Sequence, residues 1–387
     1  MPWRESSVVE QRLAFVIRAT SPGAHKAALC REFGISRPTG DKWVRRFAAD
    51  GLAGLWDQSR RPHHSPRQVS AAVEAAILRV RDRYGWNGRT LQPLVAAEEG
   101  VTVSHATIAR VLKRRGRIDP TAVHRPAPQR FERPTPNALW QMDFKGQYPV
   151  REGWCFPLSV LDDHSRFLVA LAACSNQQTA GVAAVLRTAF RRYGVPDAIL
   201  TDHGVPWHAP ANEWGLTRLA VQLIRQGITL VHGRPYHPQT QGKVERFHRT
   251  LGAWLRFHGV PQDLGGFAAE LPRFQAIYNE RKPHRALAGA PPARRYRSSG
   301  RAYQPDPPPW VYPAGAALCR VNRNGAVTVE RHRFFVSRAL SGEQVWCQAV
   351  GSRVLVIYRH MHVREFDLTT GRSVPVLRRQ PVGPPLV

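Results

Sequence analysis

Three features of this 387-residue sequence predict a multidomain chain with helix-turn-helix domains first, a mixed α/β core next and a small β-barrel last. Apolar residues recur at helical spacing near the start, alternate with polar ones in the middle, and fall into short runs between turns towards the end. Two proline-rich stretches, 118–137 and 286–309, separate these patterns. The net charge of +28 is spread so that every third of the chain is positive. Several domains touching one long polyanion would account for that spread, because neutralising phosphates releases counterions. A membrane-bound basic tail would gather the charge in one block. An arginine-biased genome is a competing source of it.

Residues 1–60 are expected to form the first helix-turn-helix domain. HKAALCREF reads as a helix, GIS as a turn and RPTGDKWVRRFAADG as a second helix with Ser36 as N-cap. Trp43 and Phe47 would face inward, leaving Arg37, Lys42, Arg45 and Arg46 for the major groove. An ordinary helical pair with a solvated basic face is the alternative. Residues 61–117 repeat the pattern. An amphipathic helix over 71–85 is followed by LQPLVAAEEG and VTVSHATIARVLKRRG, with Ser104 as N-cap and Arg110, Lys113 and Arg114 outward. Cations ending a helix also suit its dipole, so that explanation stands beside DNA contact for residues 113–115.

After the 118–137 linker, residues 138–285 read as an α/β core. ALWQMDFKG alternates, with Trp140, Met142 and Phe144 on one side and Gln141, Asp143 and Lys145 on the other. WCFPLSVLDD and RFLVALAAC make two further strands. Residues 176–193 make a helix, DAILTD a short strand, 212–226 a helix, ITLV a strand, and 242–258 and 262–281 long helices. Beyond the Pro/Arg-rich linker 286–309, five short runs over 310–370 predict the barrel, followed by a C-terminal tail, 371–387.

The chemistry centres on RPYHPQTQGKVERFHRTL, residues 234–251. Glu245 lies beside the apolar stripe of its helix, and an i,i+4 surface pair with Arg249 is its bland explanation. Asp143 sits mid-strand, where aspartate is depleted. Asp202 ends an apolar strand before a Gly-Val-Pro turn. Were the two strands neighbours and the helix packed across them, three carboxylates would share a pocket and repel unless cations neutralised them. Mg²⁺ (or Mn²⁺) suits such an oxygen donor set, and a pair of such ions serves phosphodiester chemistry.

WQMDF, TDHG and HPQTQGKVERFHRTL, in that order, resemble the Asp-Asp-Glu motifs of the retroviral-integrase-like superfamily, and most closely those of bacterial insertion-sequence transposases. The likeness covers about residues 135–297, through YNERKPHRALAGAPPARRY. It implies a ribonuclease-H-like core and Asp143, Asp202 and Glu245 as catalytic residues and metal ligands for two ions. It also implies DNA cleavage and strand transfer on element terminal repeats and target DNA. Here 42 residues lie between Asp202 and Glu245, more than is common in that superfamily, and His203 replaces the usual Asn.

Lys145, His237, Gln239, Gln241, Lys243, Arg246 and Arg249 are the expected DNA contacts around the site. Joining two DNA ends implies a homo-oligomer on DNA. Asp162 and Asp163, in DDHSR, read as turn formers. The histidines near the site, His203, His208, His232, His237 and His248, lack the i,i+4 spacing of a zinc protease. No GxxxxGK[ST] loop is present, so ATP is not expected. The five cysteines are scattered and form no CxxC, against a disulfide framework or zinc knuckle. No signal peptide or membrane span is read, and the expected location is cytoplasmic, at the bacterial nucleoid. A DNA-binding regulator with an inactive core and a cleavage-only nuclease are the rival readings.

Overall fold

The computed structural model describes residues 7–58, 68–118, 132–201, 216–232, 242–329 and 331–379. The chain divides into two compact units, Met1–Val69 and Ser70–Val387. Asp202, His203, His208, His237, Gln239 and Gln241 lie outside the described residues.

The first unit is built from α1 (Val8–Ala19), α2 (Lys26–Glu32) and α3 (Arg37–Asp50). Ser36 caps α3 as expected, its side chain accepting from Thr39 N. The turn before it holds Gly34 at φ +65°, a conformation that glycine adopts without strain. Phe15, Leu29, Cys30 and Trp43 form the core. A Cβ at Gly40 would lie 2.8 Å from both Cys30 Sγ and Phe15 Cζ, so a glycine lets α3 sit this close to its partners.

In the second unit, α4 (Ala71–Tyr84), α5 (Gly88–Glu99) and α6 (His105–Arg114) form another helical bundle. Ser104 caps α6, and Ile108, Val111 and Leu112 are buried. Then follow β1 (Trp140–Phe144), β2 (Tyr148–Val150), β3 (Gly153–Asp162), β4 (Leu168–Cys174), α7 (Thr179–Tyr193), β5 (Ala198–Thr201), α8 (Arg218–Arg225), β6 (Thr229–His232), α9 (Gly242–His258) and α10 (Leu264–Glu280). β4, β3 and β1 are antiparallel neighbours, while β5 joins β1, and β6 joins β5, in parallel. This mixed sheet buries Trp140, Met142, Leu158 and Val160 in one cluster with apolar residues of α7 and α8. β2 adds a short hairpin to the start of β3 that the sequence pattern did not reveal.

The C-terminal expectation needs correction. β7 (Leu318–Arg320), β10 (Gln344–Val350), β11 (Arg353–Tyr358), β12 (Met361–Asp367) and β13 (Ser373–Arg379) form an antiparallel sheet, ordered β13-β12-β11-β10-β7. β8 (Ala326–Val329) and β9 (His332–Phe335) form a separate hairpin. Among the described residues β7 and β13 do not pair, so the sheet is open and not a closed barrel. The expected tail supplies β13, whose register on β12 shifts between His362 and Arg364. The alternation in SVPVLRR is the sequence signal for this strand.

The Pro/Arg-rich segment 286–309 is also laid against the core. Arg301 donates to the carbonyls of Pro196, Gln226 and Gly227 and to Asp197. Ser299 N donates to Tyr193 O, and Tyr296 stacks on Phe167 with ring centroids 4.1 Å apart. Among the described residues no helix is long and apolar enough to cross a membrane. All five cysteines are free.

Candidate active site

β1 alternates as its sequence predicts. Its even-numbered residues enter the apolar core, which turns Gln141 and Asp143 to the face covered by α9. Asp143 pairs with Ser159 across the β1–β3 ladder, and its side chain is 21% exposed. α9 anchors through Val244, Phe247, Leu251, Trp254 and Leu255, all buried. That stripe leaves Glu245, Arg246 and Arg249 exposed. Glu245 lies in the first turn, where a carboxylate also suits the helix dipole.

The contact tying α9 to Asp143 is His248, whose position three residues after Glu245 gives no sign of it in the sequence. His248 Nδ1 lies 3.7 Å from Asp143 Oδ2, and its Nε2 lies 2.7 Å from Ser159 Oγ. Ser159 Oγ donates to the Asp143 carbonyl at 3.0 Å, so it accepts from His248 Nε2–H. Burial, then the nearby Lys145 charge, push the His248 pKa down to about 4, which keeps the ring neutral. Its Nδ1 lone pair and the Asp143 carboxylate are therefore two acceptors facing each other, an arrangement that suits a cation. Glu245 lies three residues before His248, exposed in the first turn of α9. The strand leading to Asp202, β5, is the parallel neighbour of β1, with Trp140 opposite Ile199 and Gln141 opposite Leu200. Among the described residues no group of three His, Cys, Asp or Glu side chains could hold a metal, and Asp202 is not among them.

Asp162 and Asp163 stand at the β3–β4 turn, yet both are fully buried. Asp162 accepts from Ser165 N, Ser165 Oγ and Asn137 N, and burial raises its pKa against those bonds. Asp163 accepts from Arg133 N and Gln141 Nε2, each at 2.7 Å. Its third partner is Lys243, whose ammonium also donates to the Asp163 carbonyl at 3.1 Å. Lys243, expected at the DNA, instead points inward with its side chain 16% exposed, and burial lowers its pKa although Asp163 opposes the shift. The pair fastens the start of α9, two residues ahead of Glu245, to the sheet.

The other expected DNA contacts divide in the same way. Arg37, Lys42 and Arg45 are exposed along α3, while Arg46 is half-buried and, with Lys42, lies over the Trp43 ring. Arg110 and Lys113 are exposed on α6. Arg114 joins Arg115 on Glu74, a carboxylate 3% exposed, so it closes the bundle. Lys145, half-buried, lies 5.1 Å over the Tyr148 ring. The buried partners of Lys243 and Arg114 are 80 and 40 residues away, beyond the reach of any local pattern.

Four family models match the chain. A helix-turn-helix domain matches residues 11–63 and a homeodomain-like domain residues 39–112. Integrase core domains match 133–238 and 226–292. The Gag-Pol polyprotein of baboon endogenous virus (strain M7) is 29% identical over 136 residues, 35% of this chain and 7% of that one. The Pol polyprotein of feline endogenous virus ECE1 is 23% identical over 214 residues, 52% of this chain and 19% of that one. The chain thus spans less than a fifth of the length of either relative. Among solved structures, the catalytic core domain of BIV integrase is 23% identical, covers 41% of this chain and 92% of its own, and has a TM-score of 0.31. The simian T-cell lymphotropic virus intasome, solved with the PP2A regulatory subunit B56 gamma, is 14% identical, covers 78% and 98%, and has a TM-score of 0.37. The chain carries helix-turn-helix domains followed by an integrase core domain.

Proposed function

We propose that this protein is a DNA transposase of the insertion-sequence kind, which binds element ends, cleaves DNA strands and joins a 3′-hydroxyl to target DNA. The observation that carries the reading is the approach of α9 to β1. His248, three residues beyond Glu245 on α9, lies 3.7 Å from Asp143. β5, which runs into Asp202, lies beside β1. Asp143, Asp202 and Glu245 form an all-oxygen donor set, and the acceptors facing each other at Asp143 favour a cation there. These three residues would hold two Mg²⁺ or Mn²⁺ ions. When bound, such ions activate an attacking oxygen and stabilise a leaving one. The chain's own contribution is position: β1 sets Asp143, the Lys243–Asp163 pair sets the start of α9, and Ser159 fixes the His248 ring.

The exposed cations of α3 and α6 would contact DNA at the element ends, with phosphate contacts setting register and base contacts setting sequence. Joining two ends calls for at least two protomers. Since each new phosphodiester replaces one that is broken, no ATP is needed. The test incubates the purified full chain with labelled element ends, plasmid target and Mg²⁺. Joined products are expected; cleavage alone would make it a nuclease, and binding alone a regulator. Asp143→Asn should abolish cleavage and joining while DNA binding persists, and loss of both would remove Asp143 from its role.

A further inference from the structure

Gly252 interrupts α9 at a buried position, in a helix interior where glycine costs about 1 kcal/mol relative to alanine. A pair of cations flanks the space of its missing side chain. A Cβ there would lie 3.4 Å from Lys145 Nζ and 3.4 Å from Arg256 Nη1, with Lys145 Cε at 3.3 Å. The two charged groups come from different elements, Lys145 from just beyond β1 and Arg256 from the next turn of α9. Among the described residues neither makes an ion pair with an acid. Two like charges converging on one notch repel, and an anion seated between them removes the penalty.

We propose that Lys145 and Arg256, meeting over Gly252, form a cradle for one phosphodiester of the bound DNA, separate from the phosphate undergoing reaction. The cradle lies two residues beyond Asp143 in the chain and seven beyond Glu245. Seven residues of helix advance about 10 Å. One DNA strand rises about 3.4 Å per nucleotide, so a strand lying along α9 would place the held phosphate about three nucleotides from the reacting one. Its distance from the reaction rests on the transposase reading; the convergence of the two cations does not.

The test measures binding of the full chain to a labelled double-stranded oligonucleotide, without divalent metal, across a salt series. Lys145→Gln and Arg256→Gln should each reduce the slope of log K against log[salt] by about 0.9, the contribution of one phosphate. The double variant should lose little more than either single one, because both cations serve the same phosphate. Gly252→Ala keeps every charge and should still weaken binding, since a methyl group fills the notch. Arg323→Gln, an exposed arginine between β7 and β8, measures the effect of removing a remote charge. Losses that add in the double variant, or tight binding by Gly252→Ala with an unchanged slope, would overturn the cradle. Melting curves show whether Gly252→Ala has merely unfolded, and Arg256→Lys should recover part of the slope in any case. Strand joining without the cradle's signature sinks the cradle alone. The signature without cleavage or joining sinks the transposase reading alone.

Discussion

Replacing Lys243 with methionine separates a structural role for this residue from contact with DNA. The substitution keeps the methylene stem and removes the ammonium from a fully buried carboxylate. Breaking a buried ion pair from one side costs about 3–5 kcal/mol. Asp163 keeps two donors, Arg133 N and Gln141 Nε2, which places the expected loss near the lower end, about 3 kcal/mol. Asp163→Asn should cost less, about 2 kcal/mol, because Lys243 is not wholly enclosed and can turn its ammonium towards water. The double variant carries no uncompensated charge and should be more stable than the sum of the single losses by about 2 kcal/mol. Urea unfolding followed by tryptophan fluorescence reads this directly, since Trp140 and Trp254 are both buried. With an m-value of about 3 kcal/mol/M, the Lys243→Met midpoint falls by about 1 M. The reasoning is refuted if the midpoint is unchanged and the salt slope of DNA binding drops instead by about one, the mark of a phosphate contact.

Three further outcomes are expected. Gly40→Ala should lower the stability of the α1–α3 unit by about 1–3 kcal/mol despite alanine's better helix propensity, because its methyl group meets Cys30 and Phe15; hydrogen exchange in the full chain should show faster opening confined to those helices. Glu74→Gln should destabilise the α4–α6 bundle by about 1–2 kcal/mol, with Arg114→Gln acting in the same direction, while Arg110→Gln and Lys113→Gln should weaken DNA binding and leave melting unchanged. Burial, then the Arg246 charge, push the Lys282 pKa down to about 8. Between that value and the ordinary lysine pKa the unfolded chain binds more protons at this group, so Lys282 contributes a rise in stability with pH from about 8 to 10, opposed by the buried thiols Cys155, Cys174 and Cys347, whose pKa values are raised. Lys282→Met should abolish that rise; a rise that survives the substitution assigns it to another group.

Local patterns revealed much of this fold. Ser36 and Ser104 each precede a helix as its cap, and the alternation of WQMDF placed Asp143 opposite the apolar side of its strand. The helix expected over 242–258 is α9 to the residue. What stayed hidden depends on partners distant in the chain. Lys243 reads as one more cation in a basic helix, and only folding brings Asp163 beneath it. Arg114 similarly gives no sign of Glu74. His248 was visible as a histidine, but its place beside Asp143 follows from helix packing. The segment 286–309 has a linker's composition because few of its residues anchor it, chiefly Tyr296 on Phe167 and Arg301 on distant carbonyls and Asp197. Barrel closure was inferred from strand count, yet closure depends on whether the edges meet, and short runs of apolar residues do not encode that.

α9 has a second anchorage, at its far end. Trp254 and Trp86 lie with centroids 6.4 Å apart, Gly85 abuts Phe257, and His258 Nε2 is 3.1 Å from the Arg83 carbonyl. Arg81 braces that corner by donating to the Trp86 and Arg117 carbonyls. A single 17-residue rod, about 25 Å long, therefore runs from the α4–α6 bundle at one end to Glu245 at the other. On the proposed reading, rotation of that bundle on a duplex would be levered along the rod to the first turn of α9, joining recognition of DNA to the alignment of Glu245.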